Sequence, residues 1–194
     1  MTCLYLVRHG ATDAIDRSFT GRLSGVDLNE EGKRQAEALA ERFRGVPVSA
    51  IFSSPTDRAR QTAEAIAGAL RLPVQESCAL DEIEIGDWSG ESFEALNEQE
   101  DFRLFNTARS LSRPPSGELM LEVQSRAVAE VLRVAQRCGA CSVVAVTHAD
   151  VIKAVLAYFL GMPLDLAYRL VVDLASVSTV ELGTGAVRVV RVNG

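Results

Sequence analysis

The sequence is short of positive charge: 20 lysines and arginines face 26 aspartates and glutamates, a formal charge of −6. That deficit argues against a partner made of nucleic acid or acidic membrane, either of which wants a basic excess. A small anion stays allowed, because a few clustered arginines make a local positive pocket in an acidic protein. Long apolar runs are also missing. Nothing approaches the roughly 18 residues of a membrane span, and the opening Met1–Val7 is too short, and lacks the basic lead-in, for a signal peptide. The expectation is a soluble, cytoplasmic protein with no membrane partner. There is no internal repeat and no linker-like stretch. With 194 residues the chain reads as one domain, 1–194, able to bury roughly 70% of its unfolded surface without a staple. Cysteine is sparse, four in all. Cys138 and Cys141 form a C-x-x-C, but no second such pair or H-x-x-H accompanies it, so a zinc site is not expected. The pair closes a helix rather than opening one, unlike a thioredoxin motif, and reduced thiols are expected.

What is present alternates between strand and helix. Leu4–Val7, Ala50–Phe52 and Val143–Val146 are short apolar runs of the kind found in buried parallel strands. Residues 30–44, 57–70, about 118–138 and 150–160 carry helical spacing. Asn29 is a candidate N-cap for the first of these and Gly32 its weak spot. Residues 71–90 read as irregular, 92–100 as a short acidic helix and 106–117 as a mobile loop. Ser178–Leu182, Gly183–Gly185 and Val187–Val192 spell a C-terminal β-hairpin. The fold expected is α/β: a three-layer α/β/α sandwich with a mostly parallel sheet and that hairpin at its end.

Histidine is the scarcest reactive residue, with two in the chain. His9 follows the first strand and His148 the most strand-like segment. Ligands of open α/β sheets bind outside the carboxyl ends of the strands, so both lie where a site forms. Two separate core histidines are the plain alternative. Arg8 adjoins His9, and Arg58 opens the helix after the second strand. Fixed cations disfavour a metal and suit phosphate, which takes forked guanidinium hydrogen bonds. Thr12, Thr20 and Gly21 can add donors. The pattern points to a phosphate pocket with a histidine nucleophile, needing no metal and no cofactor.

These residues resemble a known family. Leu6-Val7-Arg8-His9-Gly10-Ala11-Thr12 is similar to the signature of the histidine phosphatase superfamily, the phosphoglycerate-mutase-like fold. Phe19–Arg22 with Leu28–Ala36, Phe52–Ala63, Leu80–Gly90 and Val146–His148 match its further blocks in order. The resemblance implies that His9 is the phosphorylated nucleophile. Arg8, Arg58 and His148 would bind the phosphoryl oxygens, and Thr20 and Gly21 would contact substrate. Glu82 would be the proton donor, with Glu84 the alternative acid. Two positions depart from the family pattern: Ile15 stands where an asparagine donor is frequent, and Ala149 where glycine is. If residue 149 needs a positive φ, alanine costs about 1 kcal/mol; if it is helical, alanine is harmless.

The chain length resembles the shorter phosphatase branch, which includes alpha-ribazole phosphatases. The activity implied is a phosphomonoesterase acting on a small phosphorylated metabolite through phosphohistidine. A phosphoglycerate-mutase-type phosphotransferase and a non-catalytic phospho-ligand binder are the alternatives. Specificity is expected from residues 91–117 as a lid, whose arginines 103, 109 and 113 either read a second anionic group or are solvated. The phenylalanines there either face substrate or pack the lid. A homodimer is left open.

Overall fold

The computed structural model describes residues 1–183 and 185–194. Among the described residues, six strands make one sheet: β1 (Thr2–Arg8), β2 (Val48–Ser53), β3 (Val74–Glu76), β4 (Ser142–Thr147), β5 (Val177–Gly183) and β6 (Ala186–Arg191). Their spatial order is β3-β2-β4-β1-β5-β6. The pairs β3–β2, β2–β4 and β4–β1 are parallel; β5 runs antiparallel to β1, and β6 to β5. The parallel sheet with an antiparallel C-terminal hairpin is the architecture expected from sequence. The turn residue Thr184 lies outside the described residues.

The helices are α1 (Glu30–Phe43), α2 (Asp57–Leu70), α3 (Phe93–Asn97), α4 (Glu100–Thr107), α5 (Met120–Cys138) and α6 (Ala149–Leu160). The central strands are apolar on both faces because both are covered. Leu4, Leu6, Val143 and Ala145 pack with α5 and α6 through Val123, Ala127, Val131 and Ile152. Val7, Val144 and Val146 pack on the other side with Leu39 and Phe43 of α1 and Ala59, Ala63 and Ile66 of α2. Strand alternation therefore sorts side chains between two cores rather than between core and water. None of the described helices is long and apolar enough to cross a membrane.

Several local features explain why elements begin where they do. Asn29 accepts a hydrogen bond from Gly32 N at 2.9 Å and caps α1, an interaction of about 1 kcal/mol. Gly32 is no weak spot. A Cβ there would collide with the Ala11 carbonyl, and one on Gly10 would meet Gly32 O at 2.7 Å. The two glycines let α1 press directly on the chain leaving β1.

Three expectations need correction. Within 71–90 the chain forms the edge strand β3, whose Val74-Gln75-Glu76 is too polar to read as strand by alternation. Residues 106–107 belong to α4, and the rest of the expected mobile loop is tied down: Ser110 donates to Asp165 through both N and Oγ at 2.7 Å, and Arg113 pairs with Glu122 at 2.8 Å. Cys138 and Cys141 are joined as a disulfide across the turn from α5 to β4, their Cα atoms 5.9 Å apart. The C-x-x-C at a helix end brings the two residues within bridging distance, in place of the reduced thiols expected.

Candidate active site

Pairing in register brings Arg8 of β1 beside Thr147 of β4, so the next residue on each strand, His9 and His148, emerges at the same sheet edge. Their rings lie 5.1 Å apart between centroids. The backbone after β1 is held from three sides. His9 N donates to Thr147 O at 3.0 Å, Gly10 N to Thr62 Oγ1 of α2 at 3.1 Å and Ala11 N to Gln35 Oε1 of α1 at 2.9 Å. A histidine on so fixed a backbone is positioned before any ligand arrives.

His9 Nδ1 lies 2.7 Å from the Gly10 carbonyl. A carbonyl can only accept, so Nδ1 carries the proton and Nε2 keeps its lone pair. Arg58 Nε donates to Nε2 at 3.3 Å. Burial, then the charge of Arg58, pushes His9 down to about 3, and the imidazole is neutral around pH 7. His148 is wholly buried and pushed well down by the same two causes. Its Nε2 meets Ser54 Oγ at 2.9 Å, and Ser54 donates onward to Asp81 Oδ1 at 3.0 Å. Ser54 then accepts from Nε2–H, which leaves His148 Nδ1 facing Arg58 at 3.4 Å and Glu82 Oε2 at 3.6 Å.

Arg58 is buried and Arg8 half-buried, and neither guanidinium is fully satisfied. Arg8 donates to Val172 O at 2.7 Å and Arg58 to Gly21 O at 2.7 Å. Among the described residues, Arg8 Nε and Arg58 Nη1 have no partner. Buried donors without acceptors are costly, and an anion between the two arginines would satisfy them. Both line a cavity of about 180 Å³, together with His9, Glu82, Thr12, Thr20 and Gly21. Of the residues expected to touch phosphate or substrate, His148 is not in that wall; it stands against Arg58 and Glu82. Gly21 adopts φ +48°, and a Cβ there would strike Ile85. Its carbonyl can therefore reach Arg58 only as glycine.

Glu82 is pushed up to about 7, by burial first and then by the charge of Asp150. Its side chain is 15% exposed, and it is held through its main chain. Its N–H donates to Asp81 Oδ1 at 2.9 Å, and its carbonyl accepts from Arg22 Nε at 2.7 Å and Arg126 Nη2 at 3.0 Å. Glu118 in turn accepts from both arginines, at 2.6 Å and 3.0 Å, and from Glu84 N at 3.0 Å. Glu84 lies outside the cavity wall and turns back on Gly86 N at 3.2 Å. Sequence reading missed Ser54, Asp81, Glu118 and Arg126. The first two sit within blocks already singled out; the last two give no local signal.

The two departures resolve differently. Ala149 is the first residue of α6 and has no positive φ, so alanine is harmless there. Ile15 lines the cavity and puts an apolar wall where a donor could stand.

The model of the histidine phosphatase superfamily (branch 1) matches residues 4–194. The chain belongs to that superfamily. Phosphoserine phosphatase 1 of Hydrogenobacter thermophilus is 32% identical over 94% of this chain and 87% of its own length. The adenosylcobalamin/alpha-ribazole phosphatase of Escherichia coli is 26% identical over 92% of this chain and 89% of its own. Bacillus stearothermophilus YhfR superposes with a TM-score of 0.92 at 32% identity, covering 98% of this chain and 96% of that one. The chain spans 54% of the length of mycobacterial relatives to which it is 34% identical. Superfamily membership agrees with the resemblance read from the five sequence blocks.

The phenylalanines of residues 91–117 divide. Phe102 and Phe105 are buried against Trp88 at 5.3 and 5.5 Å, whereas Phe93 lines the cavity beside Phe19. Arg109 and Arg113 are not in the cavity wall: Arg109 is paired with Asp150 at 2.7 Å, and the exposed Arg113 with Glu122 at 2.8 Å.

Proposed function

We propose that the chain is a phosphomonoesterase acting on a small phosphorylated metabolite through a phosphohistidine intermediate. One observation carries the reading: a neutral His9 whose Nδ1–H is given to the Gly10 carbonyl and whose Nε2 lone pair is held only by a long 3.3 Å contact from Arg58, beside two arginines that, among the described residues, each keep a buried N–H without a partner. Arg8 and Arg58 hold the phosphoryl oxygens and neutralise the charge they carry in transfer, and the His148 expected beside them stands behind Arg58, its Nδ1 3.4 Å from that guanidinium, as a positioning residue. Thr12, Thr20 and Gly21 line the same space. His9 Nε2 forms the new bond to phosphorus as the ester P–O bond breaks. Glu82, protonated below about pH 7, gives its proton to the departing alkoxide. Its carboxylate then takes a proton from the water that attacks phosphohistidine, releasing inorganic phosphate and restoring Nε2. The names of the phosphoserine and alpha-ribazole phosphatases among the relatives support hydrolysis. The whole chain acts as one domain, with 91–117 as the segment that shapes specificity; Phe93 in the cavity wall supports that assignment.

Brief incubation with a ³²P-labelled phosphoester followed by denaturation should leave protein-bound label that is acid-labile and base-stable. His9→Ala should carry none. Equal labelling of that variant would refute the nucleophile.

A further inference from the structure

Both cations in the cavity wall, Arg8 and Arg58, stand at the phosphoryl end; among the described residues, the other charged groups in the wall are Glu82, Asp16 and Asp150. Glu82 belongs to the proton transfer. Asp16 and Asp150 remain for the part of the substrate beyond phosphate, with apolar Phe19 and Phe93 as neighbours in the wall. Asp150 stands near the start of α6, and its side chain is 16% exposed. Burial acts to raise it, but Arg109 and Lys153 hold it below its ordinary value, so it is charged at neutral pH.

The arginine that could serve a second anion is committed elsewhere. Arg109 gives Nη1 to Asp150 at 2.7 Å and Nη2 to Asn106 at 3.1 Å, and its guanidinium lies 4.8 Å over the Phe105 ring. Asp150 therefore does two things. It presents negative charge to the cavity, and it removes a lid cation that would otherwise attract a carboxylate. Asp16 adds a second negative charge from the loop after β1, on a backbone with φ 61°.

We propose that Asp150 and Asp16 are specificity-determining residues that close the outer pocket to phosphomonoesters carrying a second anionic group. The substrates are then phosphate esters of uncharged alcohols with an apolar side. This rests on the phosphatase reading and names the substrate class for the same site.

The test uses two ligands of equal size that differ in one group, glycerol 3-phosphate and 3-phosphoglycerate. Each is measured at pH 7 as a competitive inhibitor of para-nitrophenyl phosphate hydrolysis. The wild-type protein should hold glycerol 3-phosphate roughly tenfold or more tightly than 3-phosphoglycerate, since like charges across an interface are strongly selected against. Asp150→Asn should narrow that ratio at least about threefold by tightening 3-phosphoglycerate, because it removes one repulsion and releases Arg109. Asp16→Asn should narrow it less; asparagine tolerates the same left-handed backbone, so that variant keeps its fold. Asp150→Asn also alters Glu82, but that effect bears on both ligands and leaves the ratio. Equal or reversed affinities in the wild type, or a ratio unmoved in both variants, would overturn the proposal. Absence of any para-nitrophenyl phosphate hydrolysis would instead sink the phosphatase reading. Titration calorimetry with the same two ligands then decides the rim by the same ratio.

Discussion

The two ends of the cavity are built by different means. At the phosphoryl end, His148, Arg58 and His9 are 0%, 2% and 4% exposed. They sit at strand exits or in the first turn of α2, with backbone pinned by neighbouring strands and helices. At the outer end, Ile15, Phe19 and Phe93 are half-buried and Asp16 is exposed. Loops carry the first, second and fourth of these, and the five-residue α3 carries Phe93. Regular elements fix the group that reacts, and short connecting segments, together with Asp150 in the first turn of α6, shape the outer end. The chemistry at the inner end needs sub-ångström placement; the outer end needs only shape and charge.

Removing a cation from the inner end should have the largest effect. Arg58→Met keeps the packing of the side-chain stem but loses the guanidinium, and kcat should fall roughly 10³–10⁵-fold, the range seen when an arginine leaves a phosphoryl-transfer site. A loss confined to KM would mean that Arg58 binds ground state and transition state alike and that the two ends do not differ as described.

Glu82 comes next. Glu82→Gln should cost ~10²–10⁴-fold on an alkyl phosphate and much less on para-nitrophenyl phosphate, whose phenolate leaves without help. Glu84→Gln should be mild on both. The sign of the pH effect follows from the raised carboxyl. Glu82 is protonated below about 7 and ionised above, so kcat/KM on the alkyl ester should decline as pH rises through 7, while the nitrophenyl ester is less affected. His9, pushed down to about 3, stays unprotonated over the same window. Parallel pH profiles for the two esters would remove Glu82 from the proton transfer.

A smaller effect tests the frame around the inner end. Gly32→Ala places a Cβ against the Ala11 carbonyl, and both neighbours are backbone. It should destabilise by roughly 1–3 kcal/mol, a drop in Tm of several degrees for a chain of this length. An unchanged Tm would show that the contact between α1 and the chain leaving β1 is loose, and that the inner end is less rigid than the outer.

Most of the inner end was legible from residues alone. Two histidines after apolar runs, an arginine beside one and another opening the next helix are local patterns, and a parallel sheet must bring strand exits to one edge. Helix α2 was read to its bounds because apolar spacing is also local. Gly32 was misread because its reason is a contact with a residue 21 positions earlier. Glu118 and Arg126 were invisible for the same cause: Arg126 reaches the Glu82 carbonyl from 44 positions away, and Glu118 holds Arg126 and the Glu84 N–H, contacts to main-chain atoms that carry no sequence signature. From residues alone Arg109 stands between reading a second anion and being solvated, and Asp150 is not singled out.

The sequence by itself determined the layers, the parallel sheet and the meeting of His9, Arg8, Arg58 and His148, because periodicity and strand direction dictate which faces are buried and which ends coincide. Only the tertiary structure decided which carboxylate faces the cavity, which arginines are spent on ion pairs and which remain for phosphate. Those outcomes depend on side chains from distant segments competing for the same partners within a few ångströms, and spacing along the chain does not encode that competition.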